Sequence, residues 1–215
     1  GDETEGAATF SCASHVDSAG NTGAVDTTVD SGSVTIDFTA PTVSSITLSD
    51  TALKTGDTAT VTIVFSEAVT GFASADDVTV GSGSLSSMTS SDDITWTGTF
   101  TPTADTEDAT NTVTVATSYT DSAGNTGAAG TSANYEVDTL APTLTITIAS
   151  DNSDTTLAKS GDAITLTVTA SETISALACT IDGESATVTG SGTSWSAALT
   201  LDGDETEGAA TFSCA

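Results

Sequence analysis

The sequence GDETEGAATFSCA stands at residues 203–215, and the same thirteen letters stand at residues 1–13. Identity at every position, over an offset of 202 residues, indicates that the chain is a window onto a periodic sequence. Within this stretch Ala210, Phe212 and Cys214 alternate with other residues, which is the period of a β-strand with one buried face. The stretch therefore predicts a repeated domain that is built from strands.

Shorter similarities divide the period into two related halves. DSAGNTGA at residues 17–24 returns at residues 121–128, and TAPT at residues 39–42 resembles LAPT at residues 140–143. The two offsets, 104 and 101 residues, are close to half of the long one. Each period therefore holds two units of about a hundred residues, as in a tandem array.

Alternating Val, Ile, Leu and Thr residues, separated by turn signals about every ten residues, predict an antiparallel sandwich without a helical period. Prolines at 41 and 142 break the strands between units, since proline cannot donate to a sheet. In the intact unit the predicted strands span residues 43–48, 58–69, 76–80, 85–88, 94–100, 111–119 and 132–137, with a polar loop at 49–57.

Three segments are predicted from these boundaries. Residues 1–40 are interpreted as the C-terminal strands of a preceding domain, with a last strand at 33–38. Residues 41–139 are interpreted as a complete domain, and residues 140–215 as a domain that lacks its last strand. We therefore expect a repeat array that has been cut inside a domain.

The composition excludes several function classes. Thirty carboxylates stand against two lysines, and the net charge of −28 repels phosphate backbones and anionic lipid surfaces. No apolar run is long enough to cross a bilayer, so we expect no membrane insertion in this segment. The single histidine, His15, stands beside a turn where Tyr119 stands in the related unit, which favours a substituted core or edge position. No serine or threonine has a His/Asp set that could activate it, so we do not expect an enzyme.

Three motifs together resemble the bacterial Ig-like domains of giant repetitive surface adhesins. They are FSEAV at residues 65–69, DSAGN at residues 121–125 and VDTLAP at residues 137–142. The resemblance implies tandem all-β Ig-like sandwiches in a secreted, extended protein on the bacterial cell surface. It also implies inter-domain joints that are commonly stiffened by calcium, and it identifies no ligand.

In an Ig-like strand order, Cys179 and Cys214 fall on neighbouring strands, the third and the sixth. Alternation places both side chains inward, where they form either a disulfide or two buried free thiols. We predict the disulfide, because it fits an exported array. Cys12 is the periodic copy of Cys214, so its partner is expected in the preceding copy.

The alignment contains one misfit. Matching the DSAGN turns sets Cys12 opposite Ala116, whereas alternation makes Val113 and Val115 the inward pair of that strand. A one-residue bulge in one unit would reconcile the two alignments. The sequence does not say which unit carries the bulge.

The Ig-like order also brings carboxylates together at each joint between domains. For the intact unit the predicted Ca²⁺ ligands are Asp37, Glu67, Asp121 and Asn125. For the next joint they are Asp138 and Glu172, with Asp17 and Asn21 representing the turn. The alternative is that these residues are turn formers, since Asp and Asn favour such turns without a metal. The acidic loops at 105–108 and 202–207 are predicted to be solvated surface.

Three function classes follow from this reading. The first is a structural stalk or spacer of a surface adhesin or biofilm protein, stiffened by calcium, whose partners are neighbouring copies of the repeat. The second is a subunit of an extracellular filament, in which strands from one copy complete the next. The third, a carbohydrate-binding module, requires exposed aromatic side chains, whereas Trp96 and Trp195 have inward parity.

Overall fold

The structure of this chain, a computed structural model, describes residues 4–205 and 207–215. It divides into two compact units, Gly1–Leu140 and Ala141–Ala215. The division falls one residue from the boundary predicted at residue 140. Residues 1–40 are grouped with the first unit, and their interpretation as strands of a preceding domain stays a prediction.

Almost all of the regular structure in the described residues is β. The elements of the first unit are β1 (Gly6–Ala7), β2 (Thr35–Ile36), β3 (Val43–Leu48), β4 (Ala52–Lys54), β5 (Ala59–Phe65), α1 (Ser74–Asp77), β6 (Val78–Val80), β7 (Gly83–Leu85), β8 (Thr95–Pro102), β9 (Glu107–Asn111), β10 (Val113–Val115), β11 (Gly130–Thr131) and β12 (Tyr135–Asp138). Those of the second unit are β13 (Leu144–Ser150), β14 (Ala163–Ile174), β15 (Cys179–Ile181), β16 (Glu184–Ser185), β17 (Thr187–Thr200) and β18 (Phe212–Cys214).

The first unit is a β-sandwich. Strands β3, β5, β8 and β7 form one antiparallel sheet, while β4-β12-β9 and β11-β10-β6 form two further sheets. Along β5 every second side chain is buried, namely Ala59, Val61, Ile63 and Phe65, which is the alternation that the sequence shows. These side chains belong to one core with Leu53 of β4 and with buried residues of β10 and β12, so the core joins the sheets.

Two strands of the first unit lie where the sequence predicted polar surface. β4 occupies part of the predicted loop at 49–57, and it pairs in parallel with β12 because Leu53 inserts into the core. β9 overlaps the acidic stretch predicted as solvated, and it pairs with the other edge of β12. The start of the predicted strand at 76–80 is also wrong, since residues 74–77 form a helical turn in which Asp77 accepts the backbone N–H of Ala73 at 2.7 Å.

The second unit has the same arrangement of its first strands. β13-β14-β17 form one sheet and β16-β15-β18 form the other, and one buried cluster lies against both. The structure contains the predicted disulfide, which joins Cys179 of β15 to Cys214 of β18. Phe212 of the same strand is exposed, contrary to the inward position that alternation predicted.

Strand register shows which unit carries the extra residue. In the first unit Val115 faces Val78 across the sheet, and in the second Cys214 faces Cys179 at the matching position. Val115 is therefore the counterpart of Cys214 and of its copy Cys12. The chain has one more residue between Val115 and Asp121 than it has between Cys12 and Asp17. The extra residue lies in the irregular stretch 116–118.

The N-terminal segment departs most from the sequence prediction. The strand expected at 33–38 is reduced to β2, which pairs with β1. Val34 and Phe38, which were predicted to share a buried face, are exposed, and Ile36 is half-buried. The reason is that no sandwich core packs against these side chains among the described residues.

Candidate metal centre

The DSAGN sequence folds as a tight hairpin that fixes the orientation of its aspartate. The Asp121 carboxylate accepts the Asn125 backbone N–H at 2.9 Å and the Asn125 side-chain amide at 2.7 Å. The copy at Asp17 and Asn21 makes the same two bonds at 2.8 and 2.7 Å. These are the local hydrogen bonds by which Asp and Asn favour turns.

Each hairpin also packs an aromatic ring on a glycine. The Tyr119 ring covers Gly127 and is buried in the core, whereas the His15 ring covers Gly23 and is exposed. His15 is thus an edge position, which is one of the two alternatives that the sequence left open. The close contact explains why glycine stands at this point of both hairpins.

Two further carboxylates meet Asp121. Glu67 stands two residues beyond the end of β5, and Asp37 directly follows β2. Asp37, Glu67 and Asp121 each present a carboxylate oxygen, and these oxygens lie within 4.8 Å of one another. The Asn125 side-chain amide donates to the Asp37 carbonyl oxygen at 3.1 Å, which ties the entering chain to the hairpin.

The surroundings of Glu67 and of Asp121 move the pKa values of these two carboxyl groups in opposite directions. Burial raises the pKa of Glu67, and the negative charges of Asp37, Asp121 and Glu5 raise it further. Burial also acts to raise the pKa of Asp121, but the hydrogen bonds from Asn125 and from the turn backbone outweigh it and hold that pKa below its ordinary value. The three groups therefore form a crowded, partly desolvated anionic cluster.

Both lysines of the chain form ion pairs with aspartates that lie outside the cluster. Lys54 pairs with Asp57 at 2.9 Å, and Lys159 pairs with Asp162 at 2.8 Å. Since the sequence holds no arginine, a side-chain counterion for the cluster would have to come from one of these pairs or from His15. Carboxylate oxygens converging from three segments are the donor set that Ca²⁺ selects, so the residues fit a hard divalent cation.

The ligands predicted for the second joint are not gathered within one unit. Asp138 ends β12 in the first unit, while Glu172 lies in β14 of the second. Asp17 and Asn21 bond to each other in the N-terminal hairpin. A metal site at this joint stays a prediction.

Sequence reasoning missed Glu5, which adjoins the cluster. Its carboxylate accepts the Phe38 backbone N–H at 3.1 Å and the Thr39 hydroxyl at 2.6 Å. These hydrogen bonds, that of Thr39 first, hold the pKa of Glu5 below its ordinary value. No spacing or motif in the sequence indicates this contact, because it depends on the two-residue pairing of β1 with β2.

A second acidic group lies in the second unit. Glu184, Asp202 and Glu205 present carboxylate oxygens within 4.8 Å of one another. Glu184 and Asp202 are exposed, and Glu205 already accepts the backbone N–H groups of Asp202 and Gly203. These contacts agree with a solvated loop at 202–207 for the residues of it that the structure describes.

Comparison with known families identifies the first unit. The model of the bacterial Ig-like domain matches residues 37–137. These residues of the first unit belong to the bacterial Ig-like family. The match begins at Asp37 and so includes all three carboxylates of the cluster. Bacterial Ig-like domains are generally non-catalytic and are commonly extracellular or surface-associated. A search of curated proteins returns no match to the chain.

Over residues 4–205 and 207–215, the structure holds no helix with the length and apolar character of a membrane span.

Proposed function

We propose that this chain is a non-enzymatic spacer of a repetitive bacterial surface adhesin or biofilm protein, in which Ca²⁺ stiffens the joint before each Ig-like domain. The observation that carries the proposal is the convergence of Asp37, Glu67 and Asp121. Asp37 belongs to the incoming chain, while the other two belong to the pole of the sandwich that the chain enters. An ion held by all three would fix the entry of the chain relative to the domain.

Electrostatics gives the physical reason for an ion at this point. Carboxylates held a few ångströms apart repel one another even when partly solvated, and a divalent cation reverses the sign of that interaction. The joint is short and contains Pro41, whose ring restricts the backbone. Without calcium, the repulsion leaves the angle between neighbouring domains variable. With calcium bound, the short joint is held at one angle, and the repeats form an extended rod.

Calorimetric titration tests the site directly. We expect Ca²⁺ to bind with a dissociation constant of about 10⁻⁴–10⁻³ M, the range of extracellular modules. Ten millimolar Ca²⁺ should then stabilise the first unit by about 1.4–2.7 kcal/mol, since stabilisation grows with the ratio of ligand to dissociation constant. Glu67→Gln should weaken binding at least about tenfold, whereas Glu136→Gln, which changes an exposed carboxylate of β12, should not.

Chelation tests the mechanical part of the proposal. Scattering from a fragment of several units should show a larger maximum dimension in calcium than in chelator. If calcium produces no heat of binding and does not change the melting temperature, then the three acidic residues serve only as turn formers and as charged surface residues.

A further inference from the structure

The chain enters and leaves the first unit at opposite ends of strand β5. Val43, the first residue of β3, pairs with Phe65 at the end of β5. Asp138, the last residue of β12, pairs with Lys54, which begins the tight turn that leads into the start of β5. The seven residues of β5 separate these two poles by about 20 Å. Tension along the chain therefore pulls β3 and β12 along their own axes and in opposite directions.

Strand β12 is held along both of its edges. On one edge three residues of β4 pair with it in parallel, and on the other edge β9 pairs with it in the antiparallel sense. Next to the β4 pairs, the Glu136 backbone N–H donates to the Thr51 carbonyl oxygen at 2.8 Å. These hydrogen bonds run across the strands, so a pull along β12 loads them all at once. The pairing of β12 is thus loaded in shear.

Tyr135 anchors β12 in the core. Its side chain is fully buried, and its hydroxyl donates to the Gly81 carbonyl oxygen at 2.6 Å. Its ring packs edge-on against Phe100, with the ring centroids 5.2 Å apart. Val137 of the same strand is also buried. Sliding β12 along its axis would therefore break the hydroxyl bond and the core packing together.

Thr139 fastens the chain at the point where it leaves the unit. Its N–H donates to the Thr106 carbonyl oxygen at 2.7 Å, and its hydroxyl donates to the Thr103 carbonyl oxygen at 2.7 Å. The same hydroxyl accepts the Thr106 N–H at 3.0 Å, while the Thr55 hydroxyl donates to the Thr139 carbonyl oxygen at 3.1 Å. Thr139 is buried, whereas the next residue, Leu140, is exposed. Tension from the following chain thus meets these hydrogen bonds first.

We propose that the first unit is a load-bearing module, in which β12, anchored by Tyr135 and Thr139, resists tension in shear against β4 and β9. We call this arrangement the β12 clamp. The proposal goes beyond the calcium-stiffened spacer, because it assigns the domain itself a mechanical function. The acidic cluster lies at the pole where the chain enters, just beyond the end of β5, whereas Thr139 lies where the chain leaves. The clamp and the candidate metal site are therefore separate.

Pulling single molecules of the full chain in two directions tests the clamp. All measurements use chelator and a Cys12→Ser background, which removes the free thiol. Handles on the two ends of the chain load β12 in shear. Handles on Ala104→Cys, an exposed turn position before β9, and on the C-terminal end instead peel β12 from β9 one pair at a time. We expect a rupture force at least about twofold higher in shear, because the hydrogen bonds must then break together.

The length of chain that is released identifies the unit that has unfolded. In the end-to-end geometry, residues 42–139 release about 320–350 Å of extended chain. The Cys179–Cys214 disulfide keeps the second unit's release much shorter, since the residues between the two cysteines cannot be extended.

Two matched tyrosine variants locate the resistance within the fold. Tyr135→Phe removes the hydroxyl bond to Gly81, while Tyr119→Phe removes a similar bond at 2.5 Å to the Ala128 carbonyl oxygen. Both rings are fully buried, so both variants should lower the melting temperature to a similar extent. Under constant end-to-end force, only Tyr135→Phe should unfold faster, by at least about fivefold, because only its bond belongs to the loaded strand.

Two results would overturn the proposal. Equal rupture forces in the two pulling directions would mean that the hydrogen bonds of β12 are not loaded together. Equally fast unfolding of Tyr119→Phe and Tyr135→Phe under force would mean that the resistance comes from the fold as a whole. Because every measurement is made in chelator, a failure of calcium to bind would remove the proposed stiffening of the joint and leave these results unchanged.

Discussion

The two units place different chemistry at one cross-strand position. In the first unit Val78 and Val115 face each other, and a complete core lies beneath them. In the second unit Cys179 and Cys214 face each other and are bonded, while Leu157 and Phe212 remain exposed. The comparison indicates that one Ig-like frame is stabilised by burial in the first unit and partly by a covalent link in the second.

The largest expected effect comes from making the second unit resemble the first. Replacing both Cys179 and Cys214 by Val restores the apolar pair but removes a link that closes a 35-residue separation. On the chain-entropy account the unit should lose about 3–4 kcal/mol of unfolding free energy. Urea unfolding followed by Trp195 fluorescence, in a Trp96→Phe background, measures the second unit alone.

Cys12→Ser provides the control for this experiment, since Cys12 is free and exposed and its loss should change nothing. Equal stability of the double variant and the parent would mean that the second unit is held by its core alone, and the contrast between the units would fail.

A smaller effect is expected from the two hairpin glycines. A Cβ at Gly127 would overlap the buried Tyr119 ring, so Gly127→Ala should cost the first unit about 1–3 kcal/mol. A Cβ at Gly23 would overlap the His15 ring, but that ring is exposed and can turn away. Thermal melts of the two variants should therefore differ, and equal losses would show that the N-terminal hairpin is as tightly packed as its copy.

The smallest effect concerns the two matched lysine–aspartate pairs. Hydrogen bonds from Lys159 and Asn152 lower the pKa of Asp162 to about 2 from an ordinary 3.8. A carboxyl group whose pKa is lower in the folded state than in the unfolded state stabilises the fold fully when the pH is above its unfolded-state pKa. The contribution of Asp162 is therefore complete above about pH 4 and is lost between pH 4 and pH 2. Lys54 likewise lowers the pKa of Asp57, without a counterpart of the Asn152 bond among the described contacts.

Asp162→Asn should therefore lower the melting temperature at pH 6 more than Asp57→Asn does, and its deficit should disappear toward pH 2. Melts recorded between pH 2 and pH 6 measure this, with the exposed Asp204→Asn as the control. A deficit that is constant over this range would mean that the ionised carboxylate contributes nothing.

Local patterns in the sequence predicted part of this fold, and long-range pairing determined the rest. Strand β3 has the predicted bounds, and the core face of β5 follows from strict alternation. Strand β4 was missed because Leu53 is a lone apolar residue among polar ones, and only its parallel pairing with β12 reveals a strand. Exposure of Phe212 was missed because alternation assigns a face but does not say whether that face is covered.

The acidic cluster was likewise predicted from the sequence in part, while one of its neighbours depends on long-range pairing. Asp37, Glu67 and Asp121 were predicted together from the Ig-like strand order, which places distant segments at one pole, and the structure brings these three together. Asn125 contributes hydrogen bonds to Asp121 and to the incoming backbone. Glu5 could not be predicted, because its position depends on a two-residue pairing without a periodic signal.

The repeated stretch at the two ends of the chain gives the protein an internal standard. Residues 5–13 and 207–215 are identical in sequence, yet Cys12 is a free exposed thiol and Cys214 is half-buried and bonded. The effect of the amino-acid sequence on the hydrogen-exchange rate of an amide is the same in both copies, so it cancels when the two copies are compared within one sample. Any difference in hydrogen-exchange rate between matched residues of the two copies then measures the protection that the disulfide and the tertiary contacts together confer on this peptide.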